Sequence, residues 1–144
     1  MTVLVDTPIW SLALRRQQRR LSADQRRVLD EWSRLVRAGQ VGLVGPVRQE
    51  ILSGMRRETD FEALRERLRA FDDIPIERSD YEQAAHFFNR CRSKGVTGTP
   101  IDLLIAAVAN RLAMGIFTLD ADFELYARHI PVRLHKPTTV TETK

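Results

Sequence analysis

Residues 98–109 read GTPIDLLIAAVA, a short loop followed by an almost unbroken apolar run that extends to Met114. Thr99 and Pro100 are typical of a helix start, because threonine caps free N–H groups and proline fits the first turn. A helix that is apolar on nearly every side must be buried on nearly every side. The segment 101–114 is therefore predicted to be a helix at the centre of the domain.

Short apolar and β-branched runs alternate with helical patterns on both sides of this segment. The predicted strands are 2–5, 41–44, 74–76, 116–119 and 131–134. The other predicted helices are one opening at Pro8, 22–38 between Ser22 and Gly39, 47–52, 60–71, one running from Ser79 toward Gly95, and 121–128. Alternation of this kind predicts an α/β fold, with a mostly parallel sheet of four to five strands and helices on both faces.

The composition indicates one ordinary globular domain. The chain has 144 residues, 43% hydrophobic and 29% charged, and a chain of that size buries roughly two thirds of its unfolded surface. We expect a domain over 1–137 and a polar tail over 138–144. No apolar run reaches the ~18 residues of a membrane span, and the N-terminus does not resemble a signal peptide. A cytoplasmic protein without membrane contact is expected.

The net charge of +4 comes almost entirely from arginine. Arginine binds phosphate bidentately and stays charged at any relevant pH. The segment 15–27 holds six arginines, Arg15, Arg16, Arg19, Arg20, Arg26 and Arg27. Two interpretations fit this run: contact with nucleic acid or an acidic partner, or solvated helix faces in a chain from a GC-rich genome.

The histidines and the cysteine point to no chemistry of their own. His86, His129 and His135 lack metal-ligand spacing and are interpreted as structural or exposed. Cys91 is the only cysteine, so it forms no internal disulfide and is interpreted as buried apolar filling.

Five carboxylates stand where predicted strands end or predicted helices begin: Asp6, Glu50, Asp102, Asp120 and Asp122. The carboxyl ends of parallel strands meet at one edge of a sheet, which is where ligands bind. Ionised acids gathered there repel one another unless divalent cations lie between them. The pattern predicts an Mg²⁺ or Mn²⁺ site of the kind that cleaves phosphodiesters.

Each acid also has a purely structural interpretation. Asp6, just before Pro8, is a typical helix cap. Glu50 falls on the apolar face of its helix with Val47 and Ile51, so it is predicted to be buried and to need either an arginine or a metal as partner.

Asp102 follows Thr99 at the spacing of a capping box, in which the carboxylate returns a hydrogen bond to the helix start. That role and metal binding are compatible, because a helix N-terminus keeps a carboxylate ionised. Asp120 and Asp122 lie two residues apart before an apolar helix, so one of them is expected to cap it and the other to remain available.

Four motifs, in this order, resemble the PIN-domain ribonucleases, most closely the VapC-type toxins of toxin-antitoxin modules. They are VDTPIW at 5–10, QEIL at 49–52, GTPIDLLIAAVA at 98–109 and TLDADF at 118–123. The first and third motifs are the specific ones. The resemblance spans nearly the whole chain and implies a three-layer PIN-like fold.

The resemblance also implies roles for individual residues. Asp6, Glu50, Asp102 and Asp120 match the family's acidic quartet, with the principal cation held by Asp6, Asp102 and Asp120. Asp122 matches an additional acid before phenylalanine. Many members carry asparagine where this chain has Asp120, which leaves open whether Asp120 or Asp122 touches metal directly. Thr118 matches a hydroxyl residue expected to orient a water or a carboxylate.

The implied function is that of a toxin which hydrolyses RNA with Mg²⁺ or Mn²⁺, leaving a 5′-phosphate and a 3′-hydroxyl. A protein antitoxin and a homodimer are implied as partners. A second interpretation is a PIN-like module that binds RNA or protein without cleaving. A receiver-like phosphoacceptor domain fits less well, because it needs paired acids directly after the first strand, where this chain has Thr7 and Pro8.

Overall fold

The computed structural model describes residues 1–14 and 20–137. Three strands are present in the described chain: β1 (Val3–Val5), β2 (Val41–Gly42) and β3 (Gly115–Phe117). The helices described are α1 (Thr7–Leu14), α2 (Ala23–Arg37), α3 (Gly45–Leu52), α4 (Glu58–Leu68), α5 (Arg78–Ser93), α6 (Pro100–Arg111) and α7 (Asp122–Ala127). Arg15, Arg16, Arg19 and the predicted tail 138–144 lie outside the described residues.

The sheet has the order β2-β1-β3, and both neighbouring pairs are parallel. Val3 pairs with Val41 on one side and with Gly115 on the other. The predicted α/β fold with a parallel sheet is confirmed. Because β1 is the central strand, the residue that follows it lies in the middle of the carboxyl edge.

Two of the five predicted strands are wrong. The segment 131–134 forms one isolated bridge, Ile116 with Leu134. The segment 74–76 follows the isolated bridge of Leu43 with Asp73, and the N–H of Ile74 donates to the carbonyl of Leu43 at 2.7 Å. Each segment contains a proline, Pro75 or Pro131, which has no N–H to donate to a ladder. The segments therefore lie along the sheet without extending it.

The helix boundaries follow local capping. Ser22 and Gln25 form a capping box at the start of α2, as the predicted start at Ser22 requires. Helix α6 is shorter than predicted, because Ala113 adopts a positive φ of 55° and the N–H of Met114 turns back to the carbonyl of Ala109 at 2.8 Å. This turn leads directly into β3.

The centre of the domain is α6, as predicted. Seven consecutive residues of this helix are buried, from Leu103 to Ala109. At its C-terminal end Arg111 places two nitrogens on the carboxylate of Asp80 in α5, at 2.8 and 2.9 Å. Asp80 is only 2% exposed, so this ion pair holds the two helices in register. Within the described residues we find no helix with the length and apolar character needed to span a membrane.

A second ion pair holds the last described segment in place. Glu31 of α2 is buried and accepts two hydrogen bonds from Arg34, at 2.6 and 2.8 Å. Its Oε2 also lies 2.5 Å from Nε2 of His135. The N–H of His135 bonds to the carbonyl of Ile116 in β3 at 2.8 Å. The segment after α7 is therefore fixed against both the sheet and α2.

Candidate metal site at the carboxyl edge of the sheet

Thr118 joins two of the predicted site residues. Its hydroxyl donates to Oδ2 of Asp6 at 2.9 Å and accepts the N–H of Asp120 at 3.0 Å. Asp6 directly follows β1, and Thr118 directly follows β3. The neighbouring parallel strands therefore bring these side chains together at their carboxyl ends, as the sequence predicted. The expectation that Thr118 orients a carboxylate agrees with this contact.

Asp6 is buried, with 6% of its surface exposed. Its Oδ1 accepts the N–H of Thr7 at 2.8 Å, and its carbonyl accepts the N–H of Ile9 at 3.2 Å. Burial raises the pKa of Asp6, while the hydrogen bonds from Thr7 and Thr118 oppose that rise. Asp6 therefore accepts hydrogen bonds from N–H groups at the start of α1, and it also lies at the carboxyl edge of the sheet.

Asp102 reaches the same region from the first turn of α6. The hydroxyl of Thr99 accepts the N–H of Asp102 at 3.1 Å, so Thr99 caps the helix. The carboxylate of Asp102 accepts a hydrogen bond from the hydroxyl of Tyr126 at 2.8 Å. Burial, together with the charges of Asp6 and Asp120, raises the pKa of Asp102 to about 6.

These shifts reveal which acids act on one another. The charges of Glu50 and Asp120 raise the pKa of Asp6, and the charges of Asp6 and Asp120 raise that of Asp102. Like charges disfavour each other's ionised form only at short range. Four of the five predicted acids, Asp6, Glu50, Asp102 and Asp120, thus take part in these pairwise charge interactions, and we call them the acidic edge.

The predicted burial of Glu50 is wrong. Helix α3 buries Val47 and Ile51, whereas Glu50 is exposed. Two residues four positions apart define a stripe too narrow to cover the side chain between them. Glu50 therefore needs no arginine to neutralise it, and it stands at the open side of the acidic edge.

Asp120 and Asp122 divide the roles expected of them. Oδ1 of Asp120 accepts the N–H of Asp122, the first residue of α7, at 2.9 Å. Asp120 therefore supports the helix start, as expected for one of the two acids. The carboxylate of Asp122 is exposed, and its charge is among those that raise the pKa of Tyr126.

The family model of the PIN domain matches residues 3–129. The chain belongs to the PIN-domain family. Ribonuclease VapC11 of Mycobacterium tuberculosis and VapC ribonuclease Mb1587 of Mycobacterium bovis are each 30% identical to it over 128 residues. That alignment covers 88% of this chain and 92% of each relative. The resemblance to VapC-type PIN domains is confirmed.

Solved structures share the PIN fold. FitAcB from Neisseria gonorrhoeae superposes with a TM-score of 0.74 at 21% identity, covering 94% of this chain and 98% of that one. VapBC2 from Rickettsia felis, bound to a DNA fragment from its promoter, gives a TM-score of 0.73 at 17% identity with the same coverage. The three-strand sheet with its bridging segments is therefore a PIN-domain sheet.

The PIN domain's acidic edge offers the right donor atoms for Mg²⁺ or Mn²⁺, because all of them are carboxylate oxygens. The hydroxyl of Thr7, next to Asp6, is buried and has no hydrogen-bond partner among the described residues. Within 1–14 and 20–137, however, no three Asp, Glu, His or Cys side chains stand close enough to enclose a metal ion. The carboxylate oxygens are therefore of the type that binds a hard cation. Their side chains would have to move closer together to coordinate one ion.

A groove runs along the PIN domain beside the acidic edge. It encloses about 290 Å³ and includes Thr118 and Asp120 in its wall. The exposed Leu119, the ring of His135 and the ammonium of Lys136 line the rest of its polar and apolar sides. A larger cavity of about 400 Å³ between α5 and α6 is apolar and contains no carboxylate, so it is not the place for metal chemistry. We call the first cavity the edge groove.

Two residues of this PIN domain were missed by the sequence reasoning. Tyr126 follows Phe123 by three positions in α7, a spacing that indicates core packing, although its hydroxyl bonds to Asp102. Thr7 was interpreted only as part of a helix start. A buried hydroxyl beside a site cannot be distinguished from core packing by periodicity alone. The remaining assignments hold: Cys91 is buried, His86 is exposed and His135 is structural.

Proposed function

We propose that this PIN domain is a metal-dependent endoribonuclease and the toxin of a toxin-antitoxin pair. Its relatives in Mycobacterium are named as ribonucleases and cover nearly all of its length. The observation that carries the proposal is that Asp6, Asp102 and Asp120, which follow β1, begin α6 and follow β3, lie near enough for their charges to interact. Structural caps alone give no reason for the charges of Asp6 and Asp120 to raise the pKa of Asp102 at one edge.

Asp6 and Asp102 would hold the cation, with Asp120 beside them and the exposed Glu50 contributing directly or through water. When bound, Mg²⁺ or Mn²⁺ supplies Lewis acidity to the phosphate and lowers the pKa of a water molecule. The chain's own part is to hold the carboxylates ionised and oriented. Thr118 does this for Asp6 through the hydrogen bond of 2.9 Å. Hydrolysis in line would leave a 5′-phosphate and a 3′-hydroxyl.

The edge groove is the expected path for the RNA strand. Its wall contains Asp120 of the acidic edge and Thr118, which bonds to Asp6, so a strand lying in it would have a phosphate beside these residues. Lys136 carries its charge to the groove, and its ion pair with Glu124 at 3.2 Å is largely exposed and easily exchanged for phosphate. Unpaired bases are the usual target of sequence-selective RNA binding, so we expect cleavage in single-stranded segments.

The test is the double variant Asp6→Asn, Asp102→Asn, which removes two charges and keeps the size of both side chains. Purified proteins are incubated with total cellular RNA at several Mg²⁺ concentrations, and growth is followed after induction. We expect the wild type to cleave RNA and arrest growth, and the double variant to do neither. Asp30→Asn, an exposed carboxylate of α2, is the matched control. Full activity of the double variant would contradict the proposal.

The alternative is a PIN-like module that binds RNA or protein without cutting. It predicts binding that does not depend on metal and no cleavage by the wild type. Sequencing RNA 5′ ends after a short pulse of expression separates the two functions, because only a nuclease creates new ends. The same map gives the preferred cleavage sites.

An antitoxin is the expected protein partner. Structures with this fold include a complex described as a toxin-antitoxin complex from Klebsiella pneumoniae and VapBC2 from Rickettsia felis. We propose that a small cognate protein covers the acidic edge in the cytoplasm and that the toxin forms a homodimer. Co-expression of the adjacent small reading frame should restore growth, and light scattering of the purified toxin should give twice the mass of 16.6 kDa.

A further inference from the structure

The hydroxyl of Tyr126 in α7 donates to Oδ2 of Asp102 in α6 at 2.8 Å. Tyr126 is fully buried. Its hydroxyl therefore contacts Asp102 from the interior of the domain. Asp102 itself is only partly buried. One carboxylate oxygen thus accepts the hydrogen bond of the phenol from inside the domain. The side chain of Thr99, at the start of α6, is a second hydrogen-bonding neighbour of the carboxylate.

We propose that Tyr126 is a positioning residue for the metal site: its phenol fixes the rotation of the Asp102 carboxylate so that the remaining oxygen meets the divalent cation. This inference rests on the proposed function. The partners that orient metal-bound carboxylates contribute to metal affinity without touching the ion. Tyr126 plays for Asp102 the part that Thr118 plays for Asp6.

The ring of Tyr126 has little freedom to move. It packs edge-on against Phe123 with centroids 5.2 Å apart. On another side it meets the loop before α6, where a Cβ added to Gly98 would lie 3.2 Å from Cε1 of Tyr126 and 2.3 Å from Cδ2 of Leu103. Glycine is therefore what allows this loop to close over the ring. A phenol held on several sides gives its hydrogen bond a fixed direction.

The position of Asp102 explains why its carboxylate needs a hydrogen bond that fixes its rotation. Asp6 is held by its hydrogen bonds from Thr7 and Thr118, whereas Asp102 projects from the first turn of a helix toward like charges. Without a donor on its inner oxygen, repulsion from Asp6 and Asp120 would favour rotation of the Asp102 carboxylate toward solvent. The hydrogen bond from Tyr126 opposes that rotation in the metal-free protein.

The test compares Tyr126→Phe with Tyr81→Phe in the full chain. Both changes remove one hydroxyl and keep the ring, and these are the only two tyrosines in the sequence. Tyr81 is 56% exposed on α5. Binding of Mn²⁺ is measured by calorimetry, and thermal unfolding is measured without metal. We expect Tyr126→Phe to weaken Mn²⁺ binding by about 10- to 100-fold and Tyr81→Phe to leave it unchanged.

Two results would overturn the positioning role. One is equal Mn²⁺ affinity in Tyr126→Phe and wild type. The other is a lower melting temperature of metal-free Tyr126→Phe with no loss of affinity, which is the result expected of a purely structural tyrosine. If the wild type binds no Mn²⁺ at all, the proposed function fails, and the positioning role fails with it.

A second measurement does not depend on the folding of Tyr126→Phe. In the Tyr81→Phe protein grown with 3-fluorotyrosine, Tyr126 gives the single ¹⁹F signal. Positioning predicts that Mg²⁺ shifts this signal in a saturable titration, because the cation draws electron density from the carboxylate that accepts the hydrogen bond of the phenol. A signal that stays in place at saturating Mg²⁺ would contradict the inference.

Discussion

Thr118 and Asp6 are 112 positions apart in the chain and are joined by a hydrogen bond of 2.9 Å. The same hydroxyl accepts the N–H of Asp120, so one oxygen ties the end of β1 to the turn after β3. Its donor and acceptor capacities are both used. The spacing of two carboxylates at the acidic edge therefore depends on a single side chain that is itself uncharged.

Replacing Thr118 with valine should weaken the metal site. Valine has nearly the shape of threonine but leaves Oδ2 of Asp6 and the N–H of Asp120 without this partner. We expect Mg²⁺-dependent RNA cleavage and Mn²⁺ affinity to fall by about 10- to 100-fold. Thr118→Ser, which keeps the hydroxyl, should retain most of both. Full cleavage and unchanged Mn²⁺ affinity in Thr118→Val would show that the hydrogen bonds of the hydroxyl do not matter.

The stability of the metal-free protein should fall as pH rises from about 4 to about 6. The pKa of Asp102 is about 6 in the folded protein and about 4 in an unfolded chain. Between these values the folded state binds more protons, so raising the pH favours unfolding. We expect a decrease on the order of 1–2 kcal/mol for this partly solvated group, measured by urea unfolding in EDTA. The slope should become smaller in Asp102→Asn, and the part that comes from the raised pKa of Asp6 should remain.

Adding Mg²⁺ should reverse that loss. The cation binds the ionised carboxylates, so its effect grows as Asp102 loses its proton. We expect millimolar Mg²⁺ to raise the melting temperature clearly at pH 7 and little at pH 5. Asp6→Asn, Asp102→Asn should show no shift at either pH. A shift of equal size at both values in the wild type would place Mg²⁺ binding elsewhere on the protein.

The ion pair between Arg111 and Asp80 should stabilise the fold at neutral pH and fail in acid. The hydrogen bonds from Arg111 lower the pKa of Asp80, so its stabilising effect is complete above about pH 4 and disappears as pH falls through the lowered pKa. Asp80→Asn should cost about 1–3 kcal/mol at pH 7. The difference between variant and wild type should shrink below pH 4. Urea unfolding at pH 7 and pH 3 measures both values.

Gly98 should tolerate no side chain. A Cβ there would lie 2.3 Å from Leu103, which is fully buried, and would also press on the ring of Tyr126. We expect Gly98→Ala to lose about 1–3 kcal/mol of stability through overpacking and to lose RNA cleavage as well. Gly45→Ala is the control, because the nearest atom to its Cβ lies at 4.0 Å. Similar melting temperatures for the two variants would contradict this account.

The sequence predicted what depends on neighbouring residues in the chain. The capping box at Ser22, the central burial of α6 and the parallel arrangement of the strands all follow from patterns of a few residues. The nearness of Asp6 and Asp120 followed from one topological rule, that parallel strands end at a common edge. These predictions needed no knowledge of distances.

What the sequence could not supply depends on geometry between distant segments. Ile74–Pro75–Ile76 has the composition of a strand, yet it contains a proline without an N–H and only follows an isolated bridge. Glu50 follows Val47 at helical spacing, but how wide a stripe α3 buries is set by its neighbours. Tyr126 has the periodicity of core packing, and only its depth beneath α6 reveals a polar role. In each of these three cases, the outcome depends on contacts with residues that are distant in the sequence.

The acids at the carboxyl edge come from opposite ends of the polypeptide, Asp6 from its first strand and Asp120 from the turn after its third. During translation Asp6 is synthesised well before Asp102 and Asp120, the acids with which it interacts in the folded domain. A nascent or truncated product that stops before Thr118 has no complete set of carboxylates to offer. The acidic edge is therefore complete only after Thr118 and Asp120 have been synthesised.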